Sequence, residues 1–172
     1  MITVRDDVAE LELAMRVELC TSGALGMQVT VRNLGRDRYS LDALSLTVPM
    51  PRRATHLGTF HGRWCKEMQR DRSEWKVGAW TAENRRGRTS HEHPPLLLAH
   101  TATASAVDGE VWALHTAWSG NHVSFAERLA DGRRYMQMGE LLHSGEICLE
   151  AGETYTTPRI VGAYSSVGDC GI

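Results

Sequence analysis

Apolar and polar residues alternate with a period of two along most of the chain. From Leu11 to Leu19 the odd positions are apolar, and most even positions between them are charged. A second alternating run at residues 25–31 follows the turn-forming residues 21–23. Successive side chains of a strand point to opposite sides, so this period indicates strands with one buried face. The two runs therefore predict an antiparallel hairpin.

The strand pattern continues through the rest of the chain, with one change of phase. Residues 33–38 predict a turn, and between Tyr39 and Val48 the apolar positions change from odd to even, which predicts a β-bulge near Asp42. Pro49 and Pro51 are expected to end that strand. Short β-leaning segments separated by glycine-containing turns follow at 95–104, 110–118, 123–129, 135–142, 146–152 and 153–165. Strands at this spacing predict an all-β sandwich.

One segment, residues 61–93, breaks the alternation and concentrates charge. It holds 8 Lys+Arg and 5 Asp+Glu, or +3, and leaves 11 and 16, or −5, for the rest of the chain. Three of the five tryptophans, Trp64, Trp75 and Trp80, lie within it. Two interpretations remain open. Arginines covering the tryptophan faces could hold an irregular segment on a sheet, or the aromatic faces could form a platform on which sugars stack.

Residues 83–93 combine three arginines with Ser90, His91 and His93, so anion, metal and nucleophile sites each need consideration. No glycine-rich loop supports a phosphate site, and no third ligand stands at a metal-site spacing from the two histidines. Adjacent residues on an extended chain point apart, which disfavours a Ser90–His91 nucleophile pair. We therefore predict no metal site and no cofactor.

The stretch HTAWSGNHVSFAERL, residues 115–129, places Gly120 and Asn121 between two apolar runs. Both residue types accept the positive φ angles of a tight turn, so the pattern predicts a hairpin there. The hairpin would leave Trp118, Ser119 and the Asn121 side chain free at its tip. Residues on such tips are well placed to contact a ligand or another domain.

The composition limits the classes of binding partner and the cellular compartment that we expect for this chain. The net charge of −2 gives no support for a nucleic-acid surface. No apolar stretch approaches the roughly 20 residues needed to cross a bilayer, and the N-terminus lacks a signal peptide pattern. The four cysteines are far apart, without a CxxC pair, and are expected to be free, mostly buried thiols of a reducing compartment. The expected location is the cytoplasm.

Four stretches together resemble the N-terminal domain of glycoside hydrolase family 36 α-galactosidases (melibiases). They are GRWCKE, ENRRGRTSHEHPPLLL, GEVWALHTAWSGN and SGEICLEAGETYTTPRIVGAYSSVG, in the family's order and spacing. The resemblance is strongest over residues 57–168, whereas residues 1–51 resemble the family in pattern more than in motif. It implies a β-supersandwich of antiparallel strands that precedes a (β/α)₈ barrel carrying both catalytic aspartates.

We therefore expect residues 1–172 to form a single β-sandwich domain, excised from a longer enzyme and incomplete relative to the family's full N-terminal domain. It would contain no catalytic residues, and turn glutamates such as Glu146 and Glu153 would have structural roles. An apolar patch would be exposed where the barrel is missing.

The resemblance also implies a position for the functional residues. In tetrameric members, loops of this domain approach the active-site pocket, so Arg63, Trp64, Trp118 and Asn121 are the expected residues of the pocket rim. The expected partners are the barrel, galactosides of the melibiose and raffinose type, and further copies of the parent enzyme. Two alternatives stay open: a free-standing carbohydrate-binding module and a purely structural β-sandwich.

Overall fold

A computed structural model describes all 172 residues and shows an all-β chain. A 3₁₀ turn at Asp169–Gly171 is the one helical element, and no helix is long and apolar enough to span a membrane. Fifteen strands form the rest of the regular structure: β1 Ile2–Asp6, β2 Leu11–Leu19, β3 Leu25–Asn33, β4 Tyr39–Leu41, β5 Leu46–Met50, β6 His56–Arg63, β7 Lys66–Glu74, β8 Gly78–Asn84, β9 Leu96–His100, β10 Val111–Ala117, β11 His122–Arg128, β12 Arg134–Glu140, β13 Ile147–Leu149, β14 Thr154–Thr156 and β15 Arg159–Ser165.

The strands form two main antiparallel sheets. The nine-stranded sheet has the order β1-β2-β3-β15-β10-β9-β6-β7, with β14 also paired to β3. The four-stranded sheet has the order β5-β12-β11-β8, and β13 and β4 form a separate pair. These findings confirm the predicted all-β sandwich of antiparallel strands, including the β2–β3 hairpin, whose register runs from Leu11↔Asn33 to Leu19↔Leu25.

The main hydrophobic core lies between the two sheets, because each contributes the apolar residues of one face. The nine-stranded sheet supplies Met27, Val29, Leu57, Leu97, Ala99, Leu114 and Ile160. The four-stranded sheet supplies Leu46, Met50, Ala126, Met136 and Met138. Trp75, which follows β7 and is 1% exposed, and Ala54, which follows β5, complete this core.

The phase change after Tyr39 has a different cause from the one predicted. β4 ends at Leu41 and pairs with β13, whereas β5 begins at Leu46 and joins the four-stranded sheet. The β-bulge predicted near Asp42 is therefore wrong, since the chain changes sheets there. The prediction that Pro49 and Pro51 end the strand is confirmed at Pro51, because β5 ends at Met50, whereas Pro49 lies within the strand. β5 is an edge strand, where a residue without an N–H is tolerated.

The charged segment 61–93 is more regular than predicted. It contains the end of β6 and all of β7 and β8. β7 is exposed along its whole length and forms an edge of the large sheet, where its charged side chains disfavour pairing with another chain. Over residues 66–74 the missing alternation therefore reflects an edge strand without a buried face, whereas residues 85–93 belong to no strand.

The cysteine and turn-glutamate predictions have mixed outcomes. All four cysteines are free. The expectation that they are mostly buried is wrong, because Cys65 and Cys170 are exposed and the other two are half-buried. Glu146 accepts a hydrogen bond from the backbone N–H of His143, as Glu153 does from that of Glu150, each at 2.8 Å. These contacts confirm structural roles for the two turn glutamates.

The small sheet leaves part of the large sheet uncovered. β1 and β2 extend beyond the edge strand β5, and their core-side apolar residues remain exposed: Ile2, Val4, Leu13, Val17 and Leu19. Cross-strand pairing places Ile2 beside Met15 and Val4 beside Leu13, so these side chains share one face. We call this surface the β1–β2 apolar face. Contiguous exposed apolar surface is a common feature of protein interaction sites.

A buried histidine lies on the opposite face of the large sheet. His100 Nε2 is 2.7 Å from Arg70 Nη2 and 3.0 Å from Asp169 Oδ1. Burial lowers the pKa of His100 below its usual value, against the raising effect of Asp169. Burial raises the pKa of Asp169, but the Arg70 guanidinium and the His100 ring beside the carboxylate more than offset this, so that pKa is lowered.

The lowered pKa of His100 predicts a loss of stability in mild acid. Between the folded-state pKa and 6.5 the unfolded chain binds more protons, so the free energy of unfolding falls as the pH drops below 6.5. Urea titrations at several pH values should show a smaller decline for His100→Gln than for the original chain. His61→Gln, at an exposed ring on β6, serves as the control, and an unchanged decline in His100→Gln would contradict the assignment.

Candidate functional site

Three connections meet at one end of the molecule, and the first two of them line a concave basin of about 550 Å³. They are the β6–β7 turn (residues 64–65), the β8–β9 connection (residues 85–95, the first rim loop) and the β10–β11 connection (residues 118–121, the second rim loop). The basin is lined by Arg63, Trp64, Arg86, Arg88, Thr89, Ser90, His91 and Glu92.

The β6–β7 turn presents Trp64 to solvent, with 77% of its surface exposed. The ring stands edge-on to His91, with 6.4 Å between centroids. Gly62 allows this approach, because a Cβ there would lie 2.7 Å from Lys66 O and 3.1 Å from His91 O. The turn can therefore press against the first rim loop only with glycine at position 62.

The second rim loop holds the first in place. Thr89 N–H donates to Ser119 O at 2.7 Å, and Gly87 N–H donates to Asn121 Oδ1 at 2.8 Å. The prediction of a free Asn121 side chain is therefore wrong, because its carbonyl oxygen is bound to the neighbouring loop. Trp118 is 39% exposed and lies beside the basin without lining it.

The hairpin predicted at Gly120–Asn121 is also wrong. β10 pairs with β9 and β15 in the large sheet, whereas β11 pairs with β8 and β12 in the small sheet. The second rim loop therefore crosses from one sheet to the other. Neither Gly120 nor Asn121 has a positive φ angle.

The basin carries excess positive charge. Arg86 binds Glu92 through contacts of 2.8 and 3.0 Å, and this hydrogen bonding lowers the pKa of Glu92. Arg63 and Arg88 form no ion pair with a carboxylate. Their guanidinium groups are therefore available to donate hydrogen bonds to a ligand. The exposed face of Trp64 can stack on the apolar side of a sugar ring.

The four predicted rim residues lie at this end of the molecule, with Arg63 and Trp64 in the basin and Trp118 and Asn121 on the second rim loop. The residues predicted for the rim did not include Arg86, Arg88 and Thr89, although the density of arginine in residues 83–93 was a signal for the two arginines.

A platform of three tryptophans does not exist. Trp75 is in the core and Trp80 is half-buried against it, so Trp64 alone of the three is available at the surface. The structure also contains no group of three or more His, Cys, Asp or Glu side chains arranged to hold a metal ion.

Residues 1–150 match the model of the glycosyl hydrolase family 36 N-terminal domain. The chain belongs to this family. Over 167 residues it is 40% identical to an α-galactosidase of Escherichia coli, a match that covers 97% of this chain and 24% of that protein. The family 36 N-terminal domain described here therefore spans about a quarter of the length of this relative.

Two solved structures are similar to this family 36 N-terminal domain. The α-galactosidase AgaB of Geobacillus stearothermophilus superposes with a TM-score of 0.88 at 26% identity, over 96% of this chain and 23% of that chain. A variant of AgaA from the same organism, in complex with raffinose, gives the same TM-score, identity and coverage. The fold and the family assignment therefore agree.

Proposed function

We propose that this chain is the non-catalytic N-terminal domain of an α-galactosidase that hydrolyses terminal α-galactosides such as melibiose and raffinose. In this proposal residues 1–172 form one domain, and the basin borders the entrance to an active site located in the catalytic barrel. The observation that carries it is a basin lined by two connections, with an exposed Trp64 and the unpaired Arg63 and Arg88, beside the second rim loop that holds the first in place. The raffinose complex of the related AgaA supports the substrate class.

The chemistry of the basin suits one side of a sugar subsite. A pyranose ring offers an apolar face for stacking and hydroxyl groups that accept hydrogen bonds from guanidinium groups. Trp64 and the two arginines supply both types of contact from one direction. A small-molecule site normally surrounds most of its ligand, so the proposal requires a second wall, which the barrel would provide.

The β1–β2 apolar face supports packing against the rest of the enzyme. Its five exposed apolar residues lie on one continuous surface that the four-stranded sheet does not cover. Burial of apolar area contributes about 25 cal/mol per Å² removed from water. The barrel is therefore the proposed partner of this face.

The resemblance to tetrameric members supports a homo-oligomer of the parent enzyme. The free cysteines support a cytoplasmic location, because a reducing compartment keeps thiols unpaired. The proposal includes neither a nucleic-acid partner nor a membrane partner, in line with the near-neutral net charge of −2 and the mixed signs of the surface.

The proposal predicts different behaviour for the chain and for the product of its complete gene. Calorimetry should detect no clear binding of melibiose or raffinose by the 172-residue chain, because the basin supplies one wall of the site. In the product of the complete gene, Trp64→Ala should raise KM for raffinose about tenfold with kcat nearly unchanged. This corresponds to about 1.4 kcal/mol of stacking that is equal in the ground and transition states.

Trp80→Phe provides the control, because Trp80 packs against the core and lies outside the basin. Clear binding of raffinose by the 172-residue chain would contradict the proposal and favour a carbohydrate-binding module. A stop codon directly after Ile172 in the gene would contradict it as well, because no barrel could then follow.

A further inference from the structure

We propose that Asn84 and His122 are positioning residues that fix the spacing of the two rim loops and thereby set ligand affinity at the basin. The inference rests on the proposed function of the basin. Asn84 ends β8, His122 begins β11, and the two residues are directly opposite each other in the sheet. Each is 1% exposed, so both lie beneath the loops and not within the basin.

Asn84 connects the two rim loops through one amide nitrogen. Its Nδ2 donates to Arg88 O at 2.7 Å in the first rim loop and to Gly120 O at 3.2 Å in the second. Its Oδ1 is buried without a hydrogen-bond partner in the protein. The reversed amide would direct an oxygen at two carbonyl oxygens, so only the observed orientation satisfies the loops.

His122, which directly follows the second rim loop, adds a second contact to these loops. Its Nε2 is 2.9 Å from His93 O in the first rim loop, its Nδ1 is 3.2 Å from Gly120 O in the second, and the single N–H of a neutral imidazole donates to one of these two carbonyls. The two buried side chains therefore face three backbone carbonyls: Arg88, His93 and Gly120. Side-chain contacts to carbonyls of both loops fix the separation of those loops.

The pair contacts the backbone of the rim loops directly. The side-chain hydrogen bonds of both residues end on carbonyl oxygens of those loops. Arg88 lines the basin, and its carbonyl is held directly by Asn84. The bridging amides of Gly87 and Thr89 flank it. Loss of the amide donor at Asn84 should therefore separate the loops and displace basin side chains while the sandwich stays folded.

Asn84→Asp tests the inference, because it keeps the shape of the side chain and replaces the donor with an oxygen. Asn33→Asp is the matched control. Asn33 is 2% exposed, and its Nδ2 also donates to two backbone carbonyls, Asp37 O at 2.8 Å and Leu149 O at 2.9 Å. Asn33 is distant from the rim loops in sequence, and its two hydrogen bonds contact neither loop.

In hydrogen exchange of the 172-residue chain, the Gly87 and Thr89 amides should exchange at least tenfold faster in Asn84→Asp than in Asn33→Asp. The exchange rates of the β10 amides in each variant serve as the internal reference. In the product of the complete gene, Asn84→Asp should raise KM for raffinose at least fivefold with kcat unchanged, whereas Asn33→Asp should not. Asn84→Ser and His122→Gln are milder variants for use if Asn84→Asp fails to fold, and both should accelerate the same two amides.

Equal exchange rates in Asn84→Asp and Asn33→Asp would overturn the positioning role. Faster exchange with an unchanged KM would support the role of the pair in loop spacing and overturn its link to affinity. If Trp64→Ala then also left KM unchanged, the failure would belong to the proposed function of the basin and not to the loop geometry.

Discussion

A Trp75→Ala variant is expected to lose about 3–5 kcal/mol of unfolding free energy, the usual cost of removing a buried large aromatic side chain. Trp75 is 1% exposed and belongs to the core cluster between the sheets. Its backbone is bound on both sides, with its N–H donating to Thr55 O at 2.8 Å and its carbonyl accepting from Arg128 at 3.0 Å. These bonds hold the backbone at position 75 in place, so it has little freedom to move into the cavity.

Two further variants make this test specific. Trp64→Ala removes the same side chain at a position that is 77% exposed, so it should change stability by less than about 0.5 kcal/mol. Trp75→Phe should cost less than Trp75→Ala, because it keeps most of the volume and removes an indole N–H that has no partner. Urea unfolding followed by circular dichroism measures all three, and equal losses in Trp75→Ala and Trp64→Ala would refute the placement of Trp75 in the core.

Local sequence patterns predicted the strands better than their partners. The β2–β3 hairpin follows from two alternating runs separated by a short turn, and its register is as expected from that spacing. Gly120 and Asn121 stand between two strands in the same way, yet those strands belong to different sheets. A turn sequence reports where the chain bends. It does not report which strand the chain pairs with next, because tertiary packing decides that.

The same limit explains the error at Asp42. A change in the phase of apolar residues indicates that the buried face has changed, and both a bulge and a change of sheet produce it. β4 and β5 pack against different clusters, with Leu41 in the smaller one and Leu46 in the main core. The sequence shows that the buried face changes, but it does not show which sheet packs against each face.

The candidate site depended on the resemblance more than on any pattern. Trp64 and Trp75 occur in one charged segment, and nothing in their local composition separates an exposed ring from a buried one. The structure separates them because Trp75 follows the end of β7 and enters the space between the sheets, whereas Trp64 occupies a tight turn. The role of Asn121 as an acceptor for Gly87 depends on contact between distant loops, which local sequence does not encode.

The purified 172-residue chain is expected to release no galactose from raffinose above the rate in buffer. Retaining hydrolysis requires a nucleophilic carboxylate and a protonated carboxyl about 5–5.5 Å apart. Glu92 is the one carboxylate that lines the basin. Its hydrogen bonds from Arg86 lower its pKa, so it is ionised at neutral pH and unsuited to act as the acid.

Galactose release should be measured beside the α-galactosidase of Escherichia coli, and the chain should be slower by at least about 10⁶-fold, the lower end of enzymatic rate enhancements. Release that increased with chain concentration and disappeared in Glu92→Gln would contradict the expectation. Release that persisted in Glu92→Gln would have its source outside the basin, since the basin would then lack any carboxylate. A comparison of the original chain with Glu92→Gln therefore distinguishes catalysis by this basin from catalysis by another source.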